Sequence, residues 1–160
     1  MKFGYAALHI LGINSITADW ALSLPLIVLT VVVHAVGLGL MMPGRGRISG
    51  FIWRRHSQAM FVVLIGASTL FATCLHAMEA VIWATAYWRL GALPDFRSSV
   101  LYSVNAMTSY GHTKLLLEDR WQYMGALEAL NGWLLFGLTT AFLVTVIHKA
   151  RLSEDSPENH

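Results

Sequence analysis

Three long stretches without acid or base, or nearly so, divide the chain. Residues 21–43 read ALSLPLIVLTVVVHAVGLGLMMP and carry no formal charge. Residues 58–87 form a second apolar run, in which Glu79 is the one formally charged side chain and His76 lies one helical turn before it. Residues 121–147 form the third, with Glu128 its one formal charge. At ~1.5 Å per residue each run is long enough to cross a hydrocarbon layer of about 30 Å. The pattern predicts three transmembrane helices.

The stretch 88–120 between the second and third runs is patterned differently. Pro94-Asp95 precedes FRSSVLYSVNAMTSYGH, in which Val100, Leu101, Val104 and Met107 fall at helical spacing. Proline suits a first helical turn, and Asp or Ser caps the orphan N–H groups there. This predicts a helix of about ten residues, too short to span. It ends in Thr108-Ser109-Tyr110-Gly111. A short helix, a glycine-bearing extended turn and then a full spanning helix describe a re-entrant pore loop. Such backbone sits at membrane depth only where protein buries it or water lines it.

Composition agrees. Of 160 residues, 56% are hydrophobic and 12% charged. A water-soluble domain carries about 25% charged residues. The net charge of +2 gives no case for nucleic acid. The single cysteine, Cys74, permits no intrachain disulfide and reads as a small buried apolar side chain.

Basic residues cluster by loop. Arg45, Arg47, Arg54 and Arg55 lie between the first two runs, and His148, Lys149 and Arg151 follow the third. The positive-inside rule then puts 44–57 and the C-terminus in the cytoplasm, with the N-terminus and 88–120 outside. Trp53, Trp83, Tyr87, Trp88, Trp121 and Tyr123 lie near the ends of the runs, as an interfacial aromatic belt requires. The domains expected are an interfacial segment over 1–20, an extra helix over 21–43, a functional unit over 58–149 and a polar cytoplasmic tail over 150–160. Residues 1–20 lack the compact apolar core and small-residue cleavage site of a signal peptide.

The run LYSVNAMTSYGHTKLLLEDRWQYMGALEALNGWLLFGLTTAFLVTVI resembles the pore loop and inner helix of the potassium channel superfamily. GALPDF before it and GALEALNG within it are similar to a branch of small bacterial members, and the resemblance extends over about 58–149. It implies an all-α integral membrane fold in the bacterial inner membrane, with a re-entrant pore helix and filter loop. It implies a homotetramer, since one pore loop per chain cannot close a filter. The function implied is passage of a monovalent cation, K+ or Na+, with no cofactor and no catalytic chemistry.

Aligned on Tyr110-Gly111, the filter would comprise Met107, Thr108, Ser109, Tyr110, Gly111 and His112. Met107, Thr108 and Ser109 stand where the family has Thr, Val and Gly, and His112 stands where it has Asp. Met107 removes an innermost hydroxyl ring, and Ser109 puts a side chain where glycine eases the backbone. The filter therefore predicts weak discrimination between K+ and Na+. Protonation of His112 would reduce cation flux as external pH falls.

Other residues carry two readings each. Glu79, with His76 on its helical face, is a brace on the back of the pore helix at Asn105 or Ser109, or a gating or proton-sensing group. Glu128 and Asn131 line a cation-attracting cavity on the inner helix, or contact the pore helix or a neighbouring subunit. Gly132 and Gly137 allow close helix packing, or one of them, Gly132 by the alignment, is a gating hinge. His34, alone on its apolar helix, reads as buried and hydrogen-bonded, and no histidine pair has metal-ligand spacing. No arginine repeat marks a voltage sensor and no soluble ligand domain follows 149. Two competing readings remain: a haem- or quinone-binding electron-transfer subunit using His34 and His76, and a non-conducting channel relative that regulates a partner.

Overall fold

The computed structural model of the chain describes residues 15–41, 57–111 and 115–154. All regular structure there is helical: α1 (Ser15–Met41), α2 (Ser57–Leu90), α3 (Phe96–Met107), a 3-10 turn (Asp119–Trp121) and α4 (Gln122–Glu154). Helices α1, α2 and α4 are each long and apolar enough to cross a membrane. They pack on one another, and α3 packs against both α2 and α4.

The helices are turned inside out relative to those of a water-soluble bundle. Along α1, Asp19, Ser23, Thr30 and His34 are fully buried, while Val28, Val32, Val36 and Leu40 are exposed. In lipid the apolar side chains need no cover, whereas polar groups must find partners inside. Two apolar clusters flank the polar interior. One gathers Trp83, Tyr87, Tyr102, Trp121 and Met124 beneath α3. The other joins Leu38, Leu75, Phe142 and Val146.

Several sequence expectations change. Residues 15–20 lie in the same continuous helix as 21–41 rather than in a separate interfacial segment. Ala18 and Asp19 in this turn are buried against the rest of the chain. The rest of that segment and the arginine-bearing loop lie outside the described residues. Helix α4 runs to Glu154, into the expected tail. Trp83, Tyr87 and Trp121 pack in the core instead of forming a belt, whereas Trp88 and Tyr123 are exposed. Trp53 lies outside the described residues. Cys74 is exposed rather than buried.

Both helix ends that flank the connection into α3 are closed by local chemistry. Gly91 takes a positive φ of 68° and Ala92 N–H donates to Tyr87 O at 2.9 Å, which ends α2 with a 6→1 turn. Asp95 then caps α3, its carboxylate accepting from the Ser98 N–H at 2.9 Å and the Ser98 hydroxyl at 2.8 Å. These bonds hold the Asp95 carboxyl below its ordinary range.

Candidate functional site

Helix α3 has 12 residues, the length expected from its pattern. The side turned into the chain carries Ser99, Tyr102, Ser103 and Ala106. Leu101 and Val104, at the apolar positions of the pattern, are exposed. The small and polar face fits because α2 and α4 offer hydrogen-bonding groups to it. Ser103 Oγ lies 2.8 Å from Ala80 O of α2 and also contacts Glu128 Oε1 of α4. Tyr87 donates its phenol hydrogen to Glu128 Oε2 at 2.7 Å.

Glu128 therefore braces α3, the second of its two sequence readings, and Glu79 does not take that role. Ser103 has one hydrogen, and a carbonyl oxygen can only accept. Both Ser103 contacts are satisfied together when Glu128 carries a proton and donates it to Ser103 Oγ. Glu128 and Asn131 are fully buried within one chain and do not line an open cavity. Asn131 Nδ2 donates to Thr30 Oγ1 of α1 at 2.8 Å, tying α4 to α1.

The C-terminus of α3 ends differently from an extended filter strip. Met107 is the last helical residue, and Thr108 keeps helical angles with φ −87° and ψ −3°. Ser109 then takes a left-handed φ of 54°. Its N–H bonds Ala106 O at 3.0 Å and the Tyr110 N–H bonds Asn105 O at 3.1 Å. These two bonds are the paired 6→1 and 5→2 contacts of a left-handed helix cap. Residues 107–109 thus close a helix. The side-chain-bearing residue at the strained position is the one the sequence singled out. Its hydroxyl accepts from Trp133 Nε1 at 2.9 Å. Tyr110 is 82% exposed and Gly111 has φ +87°, a region that disfavours any Cβ. His112 lies outside the described residues.

Gly132 sits where α4 meets the end of α3. A Cβ there would lie 2.8 Å from Met107 Cα, so the close approach requires glycine. Gly137 has open space around its Cα. Asn105 contributes its backbone carbonyl to the α3 cap.

Glu79 does not reach Asn105 or Ser109. It is fully buried in a polar layer that joins the three long helices. His34 Nδ1 of α1 lies 2.8 Å from Glu79 Oε1, and His76 Nδ1 lies 3.4 Å from Glu79 Oε2. Thr139 Oγ1 of α4 closes the ring, 2.9 Å from His34 Nε2 and 3.1 Å from His76 Nε2. One donor atom from each of His34, His76 and Glu79 lies within 4.8 Å of the others, a grouping that can hold a metal ion. Spacing alone did not reveal the grouping, because His34 is remote in the chain and only helix packing brings it to the His76/Glu79 pair. A cavity of about 580 Å³ opens beside this layer, between α2, the end of α3 and α4. His76, Thr108, Ser109, Gly132 and Trp133 are among the residues on its walls.

Sequence reasoning missed Tyr87, Ser103, Thr30 and Thr139 as partners of the buried polar groups. Each is common in transmembrane helices, and nothing in spacing marks which of them faces a carboxylate. Comparison of the chain with protein-family models finds no match, and neither curated proteins nor solved structures yield a similar chain.

Proposed function

We propose that the chain assembles as a homotetramer that conducts monovalent cations through a pore on its four-fold axis. The observation that carries this reading is the half-length helix α3, held between two spanning helices and followed by an exposed Tyr110-Gly111 turn. In this reading α3 is re-entrant, 88–120 lies on the outer side of a bacterial inner membrane and the C-terminus is cytoplasmic. Two further features support it. The apolar face of α3, with Leu101 and Val104, is uncovered within one chain, where a neighbouring copy would pack. The C-terminal end of α3, the partially negative end of its dipole, leads into the turn and favours a cation nearby.

The filter would be short. The carbonyls of Val104, Asn105 and Ala106 already accept backbone bonds in the α3 cap. Residues 107–109 are taken up in that helix end, and selectivity among alkali cations depends on the number and field of carbonyl rings. The expected pore therefore separates K+ from Na+ weakly. With Glu128 and Asn131 directed into the protomer, the face of α4 left for a pore is uncharged and mainly apolar, with Phe136, Gly137, Thr140 and Val144. Such a face gates by dewetting rather than by a carboxylate ring.

A haem-binding reading is not supported by the histidine geometry. One hydroxyl, Thr139 Oγ1, lies within hydrogen-bonding distance of both His34 Nε2 and His76 Nε2, leaving no slot for a macrocycle between them.

The test is cation flux from liposomes reconstituted with the purified chain, beside its native mass in detergent. A tetramer that passes K+ and Na+ supports the proposal, and Gly111→Val should abolish flux with membrane insertion intact. A stable dimer with no larger species, or flux unchanged in Gly111→Val, refutes it.

A further inference from the structure

We propose that His34, His76 and Glu79 form a binding site for one divalent transition-metal ion of the zinc class. The case begins with the hydrogens available to the ring. Thr139 has one hydroxyl hydrogen, and a neutral imidazole has one N–H. With Glu79 ionised and both histidines neutral, His34 Nδ1–H donates to Glu79 Oε1 and the Thr139 hydroxyl donates to His34 Nε2. His76 Nε2–H then donates to Thr139 Oγ1. These three contacts are 2.8, 2.9 and 3.1 Å.

The fourth contact is left without a hydrogen. The bare lone pair of His76 Nδ1 faces Glu79 Oε2, and this is the long side of the ring at 3.4 Å. Glu79 Oε2 is a fully buried carboxylate oxygen with no hydrogen-bond partner. Among the described residues no lysine or arginine is ion-paired with Glu79. A buried carboxylate without a compensating charge is costly in a membrane interior. The ring is one cation short, and the gap lies between an imidazole nitrogen and a carboxylate oxygen.

A metal ion fills that gap and repairs the rest of the ring. When both Nδ1 atoms bind the ion, both Nε2 atoms carry hydrogens. Thr139 Oγ1 has two lone pairs, one for each. That is the outer-shell arrangement that fixes a metal-binding histidine in its tautomer. Two imidazoles and one carboxylate suit zinc and its neighbours, not calcium or magnesium. Ligand atoms around a tetrahedral ion stand roughly 3.4 Å apart, given metal–nitrogen distances of ~2.0–2.1 Å. Closing from within 4.8 Å asks only for small side-chain rotations. Access exists as well. His34 and Glu79 are fully buried, but the His76 side chain is 30% exposed and borders the cavity, which leaves a fourth position facing that cavity.

The site is separate from the proposed pore function, and its test does not use conduction. The full chain, freed of any affinity tag and stripped with a chelator, is titrated in detergent with Co2+. One Co2+ per chain with the visible absorption of a tetrahedral site, displaced by Zn2+, is expected. His76→Gln and Glu79→Gln should each abolish stoichiometric binding, while Cys74→Ser leaves it unchanged. Thr139→Val should weaken affinity by roughly 10–100-fold, the usual loss for an outer-shell partner. His76 is the safer variant because its side chain is partly exposed, and circular dichroism checks that it folds. The wild-type titration decides the matter even if a variant does not fold. Absence of stoichiometric Co2+ on the wild-type chain overturns the proposal and leaves a proton as the missing cation. Binding that persists in folded His76→Gln or Glu79→Gln overturns it too.

Discussion

Substituting Gly132 by alanine should destabilise the protein, and the same change at Gly137 should not. At Gly132 the added Cβ would stand 2.8 Å from Met107 Cα, with other Met107 backbone atoms also too close. Carbon atoms in contact normally stand about 3.5–4.0 Å apart, so α4 and the end of α3 must separate by roughly 1 Å. The obstacle is backbone, which cannot rotate away as a side chain can. Overpacking of this kind costs about 1–3 kcal/mol. The displacement also strikes the α3 cap and the bond from Trp133 Nε1 to Ser109 Oγ one residue further along α4. At Gly137 an added Cβ meets nothing within 4 Å. There alanine gains helix propensity worth up to about 1 kcal/mol over glycine. The two variants should therefore move in opposite directions. Thermal unfolding in detergent, followed by circular dichroism, reads the difference. For a chain of this size each kcal/mol corresponds to about 2–4 °C, so Gly132→Ala should melt several degrees below Gly137→Ala. Equal midpoints, or a Gly132→Ala midpoint above that of the wild type, would refute the close approach of α4 to Met107.

Three further outcomes are expected. Tyr87→Phe leaves Glu128 Oε2 buried without its donor and should cost about 1–3 kcal/mol, measured by the same unfolding assay; a shift near zero would mean that Tyr87 does not brace Glu128. The Asp95 carboxyl is held below its ordinary range, so its capping contribution is present above the unfolded-state pKa and is lost as pH falls through the lower folded-state value. Protection of the amides in the first turn of α3, taken relative to their intrinsic exchange rate at each pH, should fall on acidification in the wild type and be low throughout in Asp95→Ala, and a protection profile shared by both would remove Asp95 as the cap. Reversal potentials under K+ and Na+ gradients should differ little in reconstituted protein, whereas a strong K+ preference would mean that residues 107–109 are not the closed helix end described above.

The three spanning helices were legible in the chain itself because length and lack of charge are local properties. Runs 58–87 and 121–147 fall within α2 and the segment from the 3-10 turn through α4, and the ends differ by a few residues. The short helix after Pro94-Asp95 was legible for the same reason, as was the strain at Ser109. Which face each helix buries was not. The spacing of Leu101 and Val104 marked a helix but not its buried side; in a membrane apolar residues need no burial, and within the chain the polar side turned inward. Of the two roles open to Glu128, cavity wall or contact with the short helix, helix packing selected the contact, with Ser103 and Tyr87 as partners. The layer of His34, His76, Glu79 and Thr139 draws on three helices separated by up to 105 positions in the chain. No local pattern encodes such a meeting. It follows from the register in which α1, α2 and α4 pack, and that register is fixed where polar side chains on different helices satisfy one another.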